Sequence, residues 1–300
     1  MSSGVNRPFD PGSPPADLLL WLRVPRFANN RFLALYGTDL VSWSANTLEP
    51  LLQWCDAILR SGAVSGFRTS LRPDSVNQAD ASILRRFSTI ELGVPSMDSS
   101  VLNAIQRDHA PACVTDAVHR LRELGIGVGI QTMIGLPGAT REIDQASTEI
   151  VARLRPDYVR IHPTLVLYET PLWAEYQAKR YVPLDIEEAV VRSAAAWDEY
   201  EVYGIPVARC GFHLPDSQLK SALAAGPWHP AFGQLVRGRR WRDRLEAYFD
   251  SHPDSDTIDV SQKAISDAVG HRGENRRWLE ARFHKRIRFR PVPEPGDYPW

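Results

Sequence analysis

The chain has 300 residues, 43% of them hydrophobic and 24% charged, with 35 basic against 36 acidic side chains. That length and balance suit a soluble globular protein with a sizeable core. They exclude a general polyanion-binding charge, so any basic patch has to be local. No apolar run reaches the ~18–20 residues of a membrane span, and the opening residues lack the cationic-then-apolar pattern of a secretory leader, so the expected compartment is the cytoplasm.

Residues 1–15, rich in Ser, Gly, Pro and Asn, read as a disordered lead-in. Helical and strand-like segments then alternate. Leu18–Leu22 is an apolar helical piece and Arg31–Tyr36 a short strand. Leu48–Arg60 carries apolar residues at helical spacing. Gly66–Leu71 is strand-like and leads into the turn Arg72-Pro73-Asp74. Ala79–Arg86 is helical, Thr89–Val94 a strand, and Ser100–Gln106 and Thr115–Leu124 helices. Gly127–Met133 is a buried strand ended by the turn Gly135-Leu136-Pro137-Gly138. Ile143–Leu154 is a helix, Tyr158–His162 a strand, Ile186–Tyr203 a long amphipathic helix and Pro206–Cys210 a strand. Short strands alternating with helices mean βα units and a parallel sheet, closed as a barrel or open as a doubly wound sheet. In either case ligand residues gather at the C-terminal strand ends.

After His213 the composition changes. Gly226-Pro227-Trp228-His229-Pro230 is a rigid loop, Leu235–Phe249 a charged helix and Ser251–Asp256 a polar linker. Thr257–Val260 is a strand, Gln262–Val269 a helix and Gly270-His271-Arg272-Gly273 a tight turn. Glu274–His284 is a helix, Arg286–Arg290 a strand and Pro291–Trp300 a proline-rich tail. The expected organisation is a disordered segment over 1–15, a partial barrel over 16–213, a connecting helical segment over 214–256, and a small extension with its tail over 257–300.

The three cysteines, Cys55, Cys113 and Cys210, are scattered and odd in number. They suit neither a disulfide framework nor a metal knuckle and read as small buried hydrophobes. His109, His119, His229 and His271 lack metal-ligand spacing, and no metal ligand is assigned.

Three stretches are distinctive together: TIELGVPSMDSSVLNAIQ (Thr89–Gln106), GIGVGIQTMIGLPG (Gly125–Gly138) and PDYVRIHPTLVL (Pro156–Leu167). In this order they resemble the barrel of radical-SAM proteins related to the Elongator catalytic subunit and, more distantly, to oxygen-independent coproporphyrinogen oxidase. GIPVARCG (Gly204–Gly211) and AGPWHPAFGQL (Ala225–Leu235) extend the match, and Ser261–Pro291 resembles the C-terminal extension of the bacterial group. The resemblance implies an α/β fold, a partial (β/α) TIM-like barrel without the first strand and cluster loop, followed by a small α+β unit. It also implies S-adenosyl-L-methionine (SAM) and a [4Fe–4S] cluster as the family's cofactors.

On the family pattern the two-glycine turn that meets the SAM amino group falls at Gly37-Thr38, with Thr38 in place of one glycine. Glu91 is retained. GVQS becomes Gly93-Val94-Pro95-Ser96, which keeps Ser96 but loses a side-chain amide and an N–H at Pro95. Gly135 and Pro137 match the turn beside adenine, and Arg160, His162 and Thr164 match a polar row on the next strand. The family's CxxxCxxC is not found in this sequence, although soft thiolates are what such a cluster needs. Alternatives stay open at several of these positions. Gly135–Gly138 also reads as a plain strand-to-helix turn, Arg72-Pro73-Asp74 as a capped turn, and His162 as a satisfied structural histidine.

The strand–helix–GxxG–helix–strand order after Thr257 resembles a KH module, whose GxxG turn clamps nucleic-acid backbone. Gly270, His271, Arg272, Gly273, Arg276 and Arg277 are the candidate contacts. Eight Arg/Lys face two Glu between His271 and Arg290; the bland alternative is a solvated helix with a basic edge strand. The expected function is a degenerate radical-SAM homologue without radical chemistry that binds RNA, such as tRNA, or a protein partner. The alternative is a working radical-SAM enzyme whose cluster motif is missing from this sequence or supplied otherwise. No catalytic residue is assigned, and an acetyl-transfer role is disfavoured because the residues after His213 match the extension instead.

Overall fold

The computed structural model describes residues 31–35, 39–212 and 221–293. Leu18–Leu22, Gly37, Thr38, His213 and the last seven residues lie outside them.

Six strands form one parallel sheet in the order β1 (Phe32–Leu35), β2 (Gly66–Leu71), β3 (Thr89–Gly93), β4 (Gly127–Ile134), β5 (Tyr158–Pro163), β7 (Val207–Cys210). The sheet's strands follow one another in chain order, as successive βα units require, with one short strand of another sheet between β5 and β7. The fold is α/β, with the parallel sheet of a partial barrel. By contact clustering the chain divides into two compact units. The first is Met1–Val94, Asp108–Gln131 and Pro156–Tyr158; the second is Pro95–Arg107, Thr132–Arg155 and Val159–Trp300.

In the first unit, helix α1 (Ala45–Arg60) buries Leu48, Leu51, Leu52 and Cys55, one face at i, i+3, i+4 and i+7. Helices α2 (Pro73–Gln78) and α3 (Ala81–Leu84) follow β2. Helix α5 (Pro111–Glu123) repeats the pattern of α1 with Val114, Ala117, Val118 and Leu121. Residues 72–74, expected as a turn, are the start of α2: Arg72 is the N-cap and Pro73 the first helical residue, where its missing N–H costs nothing. The Arg72 guanidinium grips Asp74 through two bonds of 2.9 and 2.8 Å.

In the second unit, helix α4 (Ser99–Ala104) is capped by Asp98, whose carboxylate accepts from the N–H groups of Ser100 and Val101. Helix α6 (Arg141–Arg153) is capped by Thr140, and α8 (Ile186–Val202) by Asp185. Two features escaped the sequence reading. Strands β6 (Val166–Leu167) and β8 (Leu223–Ala225) pair antiparallel, and α7 (Pro171–Gln177) follows β6. Two-residue strands and a seven-residue helix with no buried side chain have no periodicity to read.

Helix α9 (Phe232–Ser251) leads to strand β9 (Thr257–Ser261), helix α10 (Ile265–Val269), a short 3-10 turn at His271–Gly273, helix α11 (Glu274–Phe283) and strand β10 (Arg288–Val292). Strands β9 and β10 pair in parallel. Leu245, Phe249, Ile258, Val260, Ala268, Leu279 and Ile287 form the core beneath them. Helix α10 begins three residues later than expected. Pro291 belongs to β10 rather than to the tail, a place open to proline because that ladder has only two strands and β10 is an edge.

Candidate functional site

The turn at the end of β4 is the best-built feature of the second unit. Gly135 has φ +75° and a Cβ there would strike Leu184 at 2.6 Å, so both conformation and space call for glycine. Three side chains hold this turn. The Asp144 carboxylate accepts from Gly135 N–H at 3.2 Å, Tyr181 donates its hydroxyl to Gly135 C=O at 2.7 Å, and Arg192 donates to Ala139 C=O at 3.2 Å. Arg192 also pairs with Asp144 at 3.0 Å and with Glu188 at 2.7 Å. Burial pushes the Asp144 carboxyl up from its ordinary range, against the pull of Arg192.

Beside the turn lies a cavity of about 400 Å³, within the ordinary size range of a small-molecule pocket. Pro95, Met133, Leu136, Pro137 and Thr164 bring the strand ends to it, while Arg107, Leu172 and Glu175 come from the loop after α4 and from α7. Pro137, named from the sequence, lines it; Gly135 sits in the turn. Ser96 faces elsewhere, since its hydroxyl accepts from Asp98 N–H at 3.1 Å and meets the Ser147 hydroxyl at 3.2 Å. Thr164 donates to Ile134 C=O at 2.8 Å.

On β5, Val159 and Ile161 are fully buried while Arg160 and His162 alternate on the opposite, half-buried face. His162 packs against the Phe212 ring, tilted by 39° with ring centres 5.0 Å apart. Burial, reinforced by the nearby charges of Arg160 and Arg209, pulls its pKa down to about 4, so it is neutral at pH 7.

In the first unit Glu91 is only 2% exposed. The Gln131 amide donates to its carboxylate, and the Ser70 hydroxyl donates to its backbone carbonyl at 3.2 Å. Glu91 was named from its motif; Gln131 and Ser70 were not. Their register opposite Glu91 and Gly93 comes from strand pairing. Asp144 was visible only as an acid in a first helical turn, and nothing in the sequence ties it to Arg192, 48 residues on.

The thiols do not fit an iron–sulfur cluster. Cys55 is buried on α1, Cys113 sits at the start of α5 with its sulfur bonded by Asn77 at 3.2 Å, and Cys210 ends β7. Burial pushes all three pKa values up, those of Cys55 and Cys210 to about 12, whereas cluster ligands must be thiolates. Among the described residues no group of three or more His, Cys, Asp or Glu could hold a metal ion.

In the GxxG turn Gly270 has φ 82° and ψ 162°, a region open essentially to glycine alone, and Gly273 has φ 77° and ψ 21°. Asn275, 1% exposed, donates to the carbonyls of Gly238 at 2.7 Å and Ala268 at 3.1 Å. Three of the eight local cations are neutralised: Arg282 by Glu246 and Asp250, Arg288 by Asp256, and Arg290 by Asp259. Lys285 donates to the Pro253 carbonyl at 2.6 Å. Arg272, Arg276, Arg277 and Arg286 are exposed and have no carboxylate in ion-pair reach among the described residues.

Residues 156–242 match the Radical_SAM C-terminal domain family. That match agrees, over these residues, with the resemblance to radical-SAM proteins. The tRNA uridine(34) acetyltransferase of Dehalococcoides mccartyi (strain CBDB1) is 33% identical over 123 residues, covering 39% of this chain and 27% of the relative. Elongator complex protein 3 of Homo sapiens is 31% identical over 139 residues, covering 43% and 25%. The chain thus spans about a quarter of the length of these curated relatives. In fold it is similar to the archaeal Methanocaldococcus infernus Elp3 with an N-terminal deletion, at a TM-score of 0.59 and 18% identity, covering 79% of this chain and 59% of that one. That family implies SAM and a [4Fe–4S] cluster. No helix among the described residues is long and apolar enough to cross a membrane.

Proposed function

We propose that this chain is an RNA-binding homologue of the Elongator-type radical-SAM proteins that carries out no radical chemistry on a cluster of its own. The observation that carries this reading is the donor set: three thiols on three separate elements, each driven toward its protonated form by burial. A [4Fe–4S] cluster requires thiolates side by side. The relatives' names supply tRNA as the class of partner. The exposed arginines Arg272, Arg276 and Arg277, in and just after the GxxG turn, supply a phosphate-binding face on this chain, and the strand–helix–turn–helix–strand order of the unit supports a KH-like role for that turn. The pocket beside Gly135–Gly138 is read as the adenosine end of the family's SAM site, kept as a nucleoside pocket by the Asp144–Arg192–Tyr181 clasp.

Anaerobic reconstitution with iron and sulfide, iron counting and EPR test the first half. The expected result is iron far below one cluster per chain and no signal that responds to SAM. A SAM-responsive [4Fe–4S] signal near one cluster per chain overturns it. Calorimetric titration with tRNA tests the second half, and Arg272→Asp is expected to weaken binding and flatten its salt dependence. The retained pocket favours a second reading, a working radical-SAM enzyme whose cluster ligands come from outside this sequence. That reading requires SAM to bind the chain as tightly as its own enzyme chemistry needs.

A further inference from the structure

Beside the GxxG turn, within the second unit, lies a cavity of about 320 Å³ that shares no lining residue with the strand-end pocket. Its floor is aliphatic: Ile186, Val190 and Val191 from α8 and Leu235 from α9. Ile186 is 39% exposed, an uncovered apolar side chain at the edge of a concave site. Gly270, His271, Glu274 and Asn275 form one wall, so the cavity opens where the turn presents its backbone.

The polar groups are few and held at fixed places. Asn275 is buried and accepts from Arg242 Nε at 3.1 Å while its amide caps the carbonyls of Gly238 and Ala268. Arg242 lies over the Trp278 ring at 5.5 Å and donates to the Glu274 carboxylate, so its guanidinium is fixed in direction and its charge is already matched. Arg239 is held by Asp243, an i, i+4 surface pair of little strength, and is free to turn toward an anion. Glu187 lies on the rim, exposed and with no cation partner among the described residues. His271 approaches Gln234 at 3.3 Å through Nδ1.

This inventory selects a ligand. An apolar slot with the Arg239 guanidinium and the backbone of the glycine turn on one wall and the Glu187 carboxylate on the rim fits a flat heterocycle with an attached phosphate. We infer that this cavity receives one nucleotide of a bound RNA strand, its base on the Ile186–Val191–Leu235 floor and its phosphate between Arg239 and the Gly270–Gly273 turn. Glu187 accepts from an exocyclic amino group, which favours adenine, guanine or cytosine over uracil. The inference rests on the RNA-binding reading of the GxxG turn and adds to it a base-reading site that the turn alone does not provide.

The test is anisotropy of a labelled single-stranded RNA with 2-aminopurine at successive positions, titrated with the full chain. In the wild type, one position is expected to change its emission on binding. Val191→Phe fills the slot and is expected to abolish that change and weaken binding about tenfold, the worth of one seated base. Arg239→Glu leaves the floor untouched and is expected to weaken binding to a similar degree, so a Val191→Phe chain that fails to fold leaves the inference testable. Excess adenosine monophosphate is expected to compete for the slot, which separates a free nucleotide from a strand-borne one by the affinity difference. If Arg272→Asp weakens RNA binding while Val191→Phe and Arg239→Glu bind within twofold of wild type, the cavity is not a base site and the inference fails alone. If Arg272→Asp also leaves binding unchanged, the RNA reading of the turn fails with it.

Discussion

Asp144→Ala is the sharpest test of how the strand-end turn is held. Asp144 is 7% exposed and Arg192 12%, with 3.0 Å between them. The substitution removes the acceptor of Gly135 N–H, and an orphaned buried donor costs about 1–3 kcal/mol. It also takes one of two carboxylates from Arg192. Breaking a buried pair outright costs about 3–5 kcal/mol, and because Glu188 stays in place at 2.7 Å the low end applies. The expected loss is therefore about 3 kcal/mol, read as a shift in the urea midpoint with an unchanged slope. Asp144→Asn keeps an acceptor and is expected to lose about half of that. Burial raises the Asp144 pKa, so the folded chain holds its proton more tightly than the unfolded chain does. Stability contributed by this group therefore falls as pH climbs from 3.8 through the raised value, and Asp144→Asn removes that slope. A double-mutant cycle with Arg192→Met is expected to show a coupling of about 1.5 kcal/mol or more. A loss below about 1 kcal/mol for Asp144→Ala, or an additive cycle, refutes the clasp.

Other expectations are independent of it. His162 ordinarily titrates near 6.5 and is pulled to about 4, so the unfolded chain takes up a proton that the folded chain refuses between those values. Stability should fall as pH drops from 6.5 to 4, by on the order of 3 kcal/mol, and His162→Gln should flatten that slope; an NMR titration midpoint above 6 contradicts this. Gly270→Ala places a Cβ 2.8 Å from Asn275 N in a glycine-only conformation and should destabilise the chain by about 2–3 kcal/mol, whereas Gly273→Asn should cost under about 1 kcal/mol; equal melting shifts for the two would contradict the geometry. Cys55 and Cys210, with pKa values near 12, should react slowly with a thiol reagent at pH 8 in the folded chain and at once after denaturation. Immediate reaction of all three native thiols would show that burial does not control them.

Much of the α/β fold was legible because its signals are local. The one-face spacing of Leu48, Leu51, Leu52 and Cys55 marks α1, and the apolar run ending in Gly135–Gly138 marks β4 and its turn. The motifs around Thr89, Gly125 and Pro156 carry the resemblance to radical-SAM proteins, and the sequence contains no CxxxCxxC. Glu91, Pro137 and His162 became candidates through the resemblance of the stretches that contain them, and the GxxG glycines through the local chemistry of a tight turn.

Partnership was left to tertiary structure. Asp144 and Arg192 are 48 residues apart, and only the packing of α6 on α8 makes them a clasp. Counting charges gave eight cations after His271, but three lie beside carboxylates of α9, of β9 or of the link between them, and only the folded chain separates arginines paired with a carboxylate from those that are not. The slot beside Gly270 takes its floor from α8 and α9, which no local pattern links to a turn some 80 residues beyond the first of them. Sequence alone determined which chemistry this chain carries in its motifs and which thiolate motif it does not. Its tertiary structure decided which of those groups are held, buried or left exposed, because contact and desolvation belong to the packed chain and not to any stretch of it.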